Sequence, residues 1–452
     1  MTKKRNILVL LALSIAVLFA NAQDYERLSE RTIMGTARYV GMGGAMTAIG
    51  GDPSSVKDNP AGLGLYRRSE VMFTFDCTVD NAEQADNGVS ANPYKGGMVP
   101  QASWVISFCD YMRDRGVVSN NIMFSYHRLM SYNRNIRAKG NNGAALGPLL
   151  EETGVDLGIP YCTDPYNVSN WFRYLDERGY VGEYSFDWGM NISHRWYTGL
   201  GLRLQSFSFS SEGDYYEQFE RKNADGYPLY IENETSLLLS GVNCNLAVGL
   251  IYRPAQWARI GFSLQTPSVG SIVTRSDGTL SALTDSVRYS YAPDLAESSK
   301  AFHSPLRLST GVAFQLKNRG MLSLQYDYLH PQKDAYAKDI HSLRAGIEII
   351  PVERMYINAG YAYESTFSRN DAPFHIVPTL DRQDAYYQHL RSAQYASVGL
   401  GFRGHYFIVQ AAYQYRWQKF DVYAHEHVTE PYHFNADTHR VVVTLAWHRE
   451  WP

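Results

Sequence analysis

The sequence predicts an all-β fold: a 14-stranded antiparallel transmembrane β-barrel with an N-terminal plug. Three observations support this prediction. Apolar and polar residues alternate along many segments of about ten residues, the connections between these segments are alternately short and long, and a glycine-rich stretch precedes the first segment. The expected regions are a signal peptide over 1–22, a plug over 23–68 and the barrel with its long extracellular loops over 69–452.

The N-terminus has the three parts of a secretory signal peptide. Basic residues at 3–5 precede an apolar run over 7–20, and small residues flank a cleavage site at 20–22. Cleavage there would leave a mature chain that starts at Gln23. Since no other run of about 20 apolar residues occurs, the sequence excludes a helical membrane protein.

The composition restricts the partners. The chain has 42 Lys and Arg against 45 Asp and Glu, so no basic patch for nucleic acid is expected. Its 34 Tyr suit a membrane interface, where an amphipathic ring meets both lipid and water. The four cysteines lie far apart and outside any C-x-x-C motif, which argues against a metal site, and the sequence leaves their disulfide pairing open.

Alternation with a period of two defines the barrel strands. Leu200, Leu202 and Leu204, for example, alternate with Arg203 and Gln205. Fourteen strands are predicted, at 69–80, 101–110, 118–132, 180–193, 196–211, 234–253, 257–275, 303–317, 320–330, 340–350, 354–366, 393–403, 405–420 and 437–448. The alternative is a soluble β-sandwich, which would need a second sheet to cover the apolar face.

The cost of a buried charge fixes which face of each strand meets lipid. Arginine on the lipid side at mid-membrane costs about 2–4 kcal/mol, so Arg203 should face the lumen and the leucines beside it should face lipid. The same argument turns Arg307, Arg344 and Arg416 inward.

Residues 23–68 have the composition of a compact, irregular plug. They begin with an expected short helix over 24–34 and continue with many glycines and two prolines, which favour turns. Fourteen strands enclose a lumen that must be open or filled, and irregular backbone is tolerated at membrane depth only where protein or a cavity surrounds it. The plug is therefore expected inside the barrel.

The motif "GMGGA", followed by "DPSSVKDNPAGL" from residue 52 to 63, resembles the N-terminal hatch of the FadL/TodX outer-membrane transporters. The segment "AVGLIYRPAQWARIGFSLQTPSVG" is similar to strand-turn-strand units of that family's barrel. The resemblance implies a monomeric barrel that passes hydrophobic compounds, typically long-chain fatty acids, through the outer membrane.

The resemblance also assigns a hatch motif that braces the plug against the barrel wall, made of Asp52, Ser54, Asn59, Pro60, Ala61 and Gly62. The alternative is that "NPAG" is an ordinary turn. The family has a lateral exit at a kink in its third strand. Because the third predicted strand here contains no Gly or Pro, the place of any such exit stays open.

Two sets of residues are candidates for binding the ligand. Trp171, Phe172 and Leu175 have helical spacing in a long outer loop and would form an apolar face, unless they only pack that loop onto itself. Lumen-facing Arg203, Arg307 and Arg344 could pair with a ligand carboxylate, or else with lumen acids such as Asp187 and Glu348.

No catalytic, metal or cofactor site is predicted. His425, His427 and His433 lie in a polar loop, where solvation is the ordinary role of histidine, and no G-x-S-x-G motif occurs. Three functions remain: a non-enzymatic transporter whose partners are a hydrophobic small molecule, such as a fatty acid, and outer-membrane lipid; a FadL-type barrel that serves as scaffold or shuttle in protein secretion; and a barrel enzyme acting on lipid.

Overall fold

The computed structural model describes most of the chain beyond the predicted signal peptide. The described residues are 30–85, 89–90, 92–110, 112, 114–141, 168–219, 230–283, 288–292, 295–317, 319–331, 338–366, 387–423 and 431–449.

The strands form one closed antiparallel sheet of fourteen barrel strands, which confirms the predicted fold. In chain order they are β1 (Ser69–Gln84), β3 (Tyr94–Cys109), β4 (Val117–Ser131), β6 (Val168–Ile192), β7 (Trp196–Phe219), β8 (Tyr230–Ala255), β9 (Ala258–Gln265) continued by β10 (Val269–Leu283), β12 (Ala296–Phe302) continued by β13 (Leu306–Gln315), β14 (Gly320–His330), β15 (Ile340–Val352), β16 (Met355–Glu364), β17 (Tyr387–Arg403), β18 (Phe407–Tyr423) and β19 (Tyr432–Arg449). Short β2 (Val89–Ser90), β5 (Arg134–Asn141) and β11 (Arg288–Tyr291) extend the long-loop end. The first and last strands pair from Ser69↔Arg449 to Gln84↔Phe434 and close the barrel.

The outer surface of the barrel carries an apolar belt. On β7, Leu200, Leu202 and Leu204 are 51%, 48% and 48% exposed, whereas Arg203 between them is fully buried in the lumen. The inward orientation predicted for the arginines is confirmed, since Arg307, Arg344 and Arg416 are also buried.

The wall is much taller on one side than on the other. Strands β6, β7 and β8 have 25, 24 and 26 residues, against 11, 13 and 10 for β14, β15 and β16. At about 3.3 Å per residue, the tall strands continue well past the apolar belt, which on β7 gives way to serines after Leu204. Several predicted strand ends were therefore too short, because the alternation continues there with polar residues outside.

Two further predictions differ from the structure. The predicted strand over 257–275 is interrupted at 266–268, and its neighbour is interrupted at 303–305. The helix predicted over 24–34 lies mostly outside the described residues, and the described part, 30–34, is not helical. No helix in the described part of the chain is long and apolar enough to cross a membrane.

The plug lies inside the barrel. It consists of α1 (Ala37–Gly41), α2 (Pro53–Asp58) and a 3₁₀ segment (Pro60–Leu65), and nearly all its residues from 32 to 64 are buried. Apolar plug residues pack against small and aromatic side chains on the inner wall, in a cluster that includes Tyr39, Val40, Met42, Ala362, Tyr395 and Ala412. An irregular backbone is thus enclosed by protein, as membrane depth requires.

The apolar belt predicts the effect of a charge on each level of β7. Leu202→Arg should destabilise the folded barrel by about 2–4 kcal/mol, because it places a cation in hydrocarbon near mid-membrane. Ser210→Arg, which faces outward above the belt on the same strand, should cost about 0–1 kcal/mol. Urea unfolding in lipid vesicles measures both, and equal costs would contradict the assigned membrane level.

Candidate functional site

The two plug helices are joined at their N-termini by a polar network. Asp52 caps α2, since its Oδ1 accepts a hydrogen bond from the Ser54 N–H at 2.9 Å. Thr36 caps α1 and donates its hydroxyl proton to the Asp52 carboxylate at 2.8 Å, while the Thr36 N–H donates to Ser54 Oγ at 2.9 Å. Each helix therefore holds the start of the other in place.

Asn59, Pro60 and Ala61 contact the barrel where the wall has no side chains, whereas Gly62 packs within the plug against Gly50. The Asn59 side chain donates to the Thr47 carbonyl at 2.8 Å and accepts from the Ala61 N–H at 3.1 Å. A Cβ on Gly199 would overlap the Pro60 backbone, and a Cβ on Gly249 would overlap Asn59 Oδ1. The first glycine patch consists of register neighbours on β6, β7 and β8, namely Gly189, Gly199 and Gly249.

A second glycine patch receives the other side of the plug. Gly346 on β15 and Gly360 on β16 are register partners. A Cβ on Gly346 would overlap the Met42 carbonyl oxygen, and one on Gly360 would overlap the Gly43 backbone. The plug is therefore in backbone contact with two separate parts of the wall.

A buried ionic cluster links α2 to three barrel strands. The Tyr39 hydroxyl donates to Asp58 Oδ2 at 2.5 Å. Arg307 and Arg344 approach the same carboxylate at 3.7 and 3.8 Å, and both also face Asp327 of β14, at 3.6 and 3.2 Å. Burial raises the pKa of Asp58, but the surrounding cations more than offset this, so its pKa lies below the ordinary value.

Two more arginines tie the plug to the wall. Arg203 forms an ion pair with Asp187 at 2.5 Å and donates to the Val56 carbonyl of α2 at 3.1 Å. Arg38 of α1 forms a two-bond pair with Glu348 of β15, at 2.6 and 2.9 Å. The inward arginines thus hold the plug as well as balancing the lumen acids.

A cavity of about 60 Å³ lies above the plug. One part of its wall is apolar, with Met130, Tyr132 and Phe209. The other part carries three cations that each face an acid: Arg134 with Asp80 at 3.0 Å, Arg416 with Glu30 of the plug at 3.0 Å, and Arg440 with Asp76 at 3.5 Å. The cavity is therefore amphipathic, with charge on one side and apolar surface on the other.

An apolar roof closes over this cavity at the long-loop end. It is a cluster of inward side chains from the tall strands, in which Trp171 lies 4.2 Å from Tyr432 and Phe420 stacks on Phe434 at 4.9 Å between ring centroids. The roof comprises Ala82, Ile136, Ala138, Trp171, Leu175, Tyr215, Phe219, Ile231, Ala282, Phe420, Val422, Phe434 and Ala436. These side chains are buried against each other within the upper barrel.

The wall has a discontinuity beside the cavity, between β3 and β4. Their pairing ends at Gln101↔His127, although both strands continue toward the long-loop end. Beyond this point the two strands are not paired with each other, while β3 stays paired with β1 and β4 stays paired with β6. The Arg128 side chain lies there, 4.2 Å over the Tyr180 ring. The pairing ends directly beside Pro100 of β3, which has no N–H to donate, whereas β4 contains neither Gly nor Pro.

The structure distributes the predicted ligand residues between roof and plug. Segment 168–179 belongs to a strand and not to a helix, so Trp171 and Leu175 point into the roof while Phe172 faces outward and is 37% exposed. Arg203, Arg307 and Arg344 lie at the plug. Sequence reasoning missed Arg416 and Arg440 as cavity residues, although their inward position on alternating strands was the available signal.

The histidine-rich loop is only partly described. His425 and His427 lie outside the described residues, and His433 pairs with Asp421 at 2.7 Å. Among the described residues there is no cluster of His, Cys, Asp and Glu suited to a metal.

The comparisons with known proteins show the fold. A FadL homologue from Pseudomonas aeruginosa matches with a TM-score of 0.59 at 11% identity, covering 92% of this chain and 99% of that one. The barrel has the architecture of FadL-type proteins. The toluene transporter TodX of P. putida matches at 0.57 and 13% identity, over 93% and 100% of the two chains. TbuX, the toluene transporter of Ralstonia pickettii, matches at 0.53 and 13%, over 92% and 99%.

The comparisons of sequence found no match. No family model matches the chain, and no curated protein matches it significantly.

The first glycine patch predicts that a side chain there displaces the plug. Gly199→Val should raise the ion conductance of the barrel in planar bilayers several-fold, because its side chain overlaps the Pro60 backbone. Thr198→Val, the neighbouring residue on the opposite face, should leave conductance unchanged. A barrel with Gly199→Val that conducts like the parent would contradict the assigned contact.

The ionic cluster predicts a large cost for removing one partner. Asp58→Asn should destabilise the plugged state by about 3–5 kcal/mol, since Arg307 and Arg344 lose a buried counter-ion. Glu297→Gln, in a half-exposed pair with Arg275, should cost about 0–1 kcal/mol. Thermal unfolding in detergent compares the two, and similar midpoints would show that the cluster does not hold the plug.

Proposed function

We propose that the chain is an outer-membrane channel for the passive uptake of hydrophobic compounds, exported by the signal peptide over 1–22. The observation that carries the proposal is the amphipathic cavity between plug and roof. A lipid-embedded barrel whose lumen is blocked by a plug does not serve as an open aqueous pore, and an apolar cavity wall gives a hydrophobic solute a favourable place to bind. The structural neighbours named as toluene transporters support this class of solute.

Within this class, a long-chain fatty acid matches the chemistry of the cavity wall better than a neutral hydrocarbon does. Each buried CH₂ contributes about 0.8 kcal/mol, which the apolar wall at Met130, Tyr132 and Phe209 would provide. A neutral hydrocarbon cannot pair with the cations on the other side of the cavity. A carboxylate can pair with Arg416, which bonds to the Glu30 carboxylate in the plugged state.

The contact of Arg416 with Glu30 suggests how binding could release the plug. The Glu30 carboxylate occupies the position that a ligand carboxylate would take, so the ligand competes with the plug for the same cation. Residues 30–32 then lose one attachment, while Thr32 remains bonded to the Leu129 carbonyl at 3.0 Å. In this mechanism the fatty acid itself loosens residues 30–32, which we call the leader of the plug.

Two measurements test the function directly. Lipids extracted from gently purified protein should contain fatty acid by mass spectrometry, and cells that express the chain should accumulate radiolabelled oleate faster than cells that lack it. A stably bound partner protein without lipid would instead favour a role in protein secretion, and hydrolysis of lipid by the pure protein would favour an enzyme.

The role of Arg416 gives a sharper prediction. Arg416→Met should weaken oleate binding by about 10- to 100-fold, the equivalent of a charge-assisted hydrogen bond of roughly 1.5–3 kcal/mol. Toluene uptake should not fall, because toluene has no carboxylate. Arg275→Met, on the exposed rim, is the matched control and should change neither. Parallel losses for oleate and toluene would show that the variant acts only through the plug.

A further inference from the structure

Two prolines face each other in the middle of the barrel wall. Backbone pairing of β9 with β13 ends at Gln265↔Arg307, and pairing of β10 with β12 resumes at Gly270↔Phe302. Two residues beyond Gln265 and two before Arg307, the same register places Pro267 opposite Pro305. Proline has no N–H to donate and is normally confined to edge strands or bulges, yet a closed barrel has no edge. We call 266–268 with 303–305 the proline seam.

Side chains replace the missing backbone ladder at the seam. The Ser268 N–H donates to Ser304 Oγ at 3.1 Å, and the Ser304 N–H donates to Ser268 Oγ at 2.8 Å. His303 Nδ1 lies 2.9 Å from the Ser268 carbonyl oxygen. The two strands are thus joined by hydroxyl bonds, which rotation of two serine side chains can break without unpairing the strands on either side.

The outer side of the seam lies in the apolar belt. Val269, directly after it, is 69% exposed, and on the adjacent strand β8 Val242 and Leu246 are 53% and 54% exposed. An opening at this level would therefore face hydrocarbon and not water.

The inner side of the seam borders a second cavity. Ser304 and Pro305 line it together with Leu129, Val181, Leu329 and Arg307. Its volume is about 10 Å³, and Glu30 lines both this cavity and the larger one above the plug.

A continuous apolar strip joins the two cavities along the inner wall. The strip consists of Leu129, Met130, Tyr132, Val181, Phe207, Phe209, Leu237, Leu239, Ile272 and Phe302. Met130, Tyr132 and Phe209 belong to the large cavity, Leu129 and Val181 belong to the seam cavity, and Ile272 and Phe302 lie next to the seam itself.

The leader of the plug contacts the strand that forms the seam. Arg31 donates to Gln265 Oε1 at 3.1 Å, and Gln265 is the last residue of β9 before the break. Gln265 in turn donates to the Lys57 carbonyl of α2 at 3.0 Å. Displacement of the leader would therefore remove a contact at the edge of the seam.

We propose that the proline seam is a lateral passage through which an apolar ligand moves between the lumen and the membrane. The inference rests on the proposed function, since it names the route that a hydrophobic solute takes through the wall. The seam is separate from the gap between β3 and β4, and the apolar strip runs from the one to the other.

A disulfide across the seam tests the passage. In a chain whose four native cysteines are replaced by alanine, Ser268→Cys with Ser304→Cys should crosslink on oxidation, since the two residues are register partners. Oxidation should lower oleate uptake by cells at least several-fold, and reduction by dithiothreitol should restore it. Mass spectrometry of the purified protein verifies the bond.

The matched control crosslinks another pair of facing serines. Ser125 and Ser185 lie opposite each other on β4 and β6, in hydroxyl contact at 2.6 Å, within an unbroken stretch of pairing. Ser125→Cys with Ser185→Cys should leave uptake unchanged on oxidation. Unchanged uptake with the seam crosslinked, or equal losses with both crosslinks, would overturn the proposal.

A second measurement does not depend on uptake. In the same chain without native cysteines, the single variant Ser304→Cys should react with a lipid-soluble maleimide in vesicles. Adding Pro267→Val with Pro305→Val should suppress the reaction, because both positions regain a backbone donor. Ser185→Cys should stay unreactive. If Ser304→Cys reacts with the maleimide but the protein takes up no oleate, the proposed function is refuted and the passage is not. If Ser304→Cys is as unreactive as Ser185→Cys, the passage is refuted.

Discussion

The plug fits inside the barrel because the wall has no side chains where the plug backbone touches it. At Gly199 and Gly249 the peptide of Asn59 to Ala61 occupies the volume of a missing Cβ, and at Gly346 and Gly360 the turn at Met42 and Gly43 does the same. An irregular backbone at membrane depth must have its polar groups enclosed and satisfied. Close contact at two places on the wall provides that enclosure, and the rest of the lumen is arranged around it.

Charge fixes the orientation of the plug that these contacts permit. Asp58 lies between cations from two barrel strands, and Arg38 reaches a carboxylate on β15. Burying these charged groups removes their hydrogen bonds to water, which costs free energy. The ion pairs therefore fix the position of the plug more than they add net stability. The leader is held differently. Among the described residues, Glu30 pairs with Arg416 and Arg31 bonds to Gln265, which are fewer polar contacts with the wall than α1 and α2 make, so this segment is the easiest part of the plug to detach.

Much of this arrangement could be predicted from the sequence, because lipid imposes simple rules on strands. Alternation with a period of two identified the barrel strands, and the cost of a charge in hydrocarbon placed Arg203 and Arg307 inside. The helix predicted for the segment with Trp171 was wrong. Apolar residues at positions 171, 172 and 175 have helical spacing, but the segment is a strand that buries 171 and 175 and exposes 172. The glycine patches and the proline seam escaped notice for another reason. Their members lie tens of residues apart, and only the strand register shows that they are neighbours.

The levels of these features in the barrel determine which routes are open to a solute. Along the axis, the roof side chains pack together above the large cavity, and the plug fills the lumen below it. Around the wall at the same level, regular pairing is interrupted at the gap beyond His127, at Pro267 opposite Pro305, and at a register shift between Leu390 and Ala393 of β17. The apolar strip crosses the inner wall between the first two of these places. A hydrophobic solute in the cavity therefore meets the least resistance sideways, because breaking serine hydroxyl bonds costs less than opening either a packed aromatic roof or a plug held by buried ion pairs.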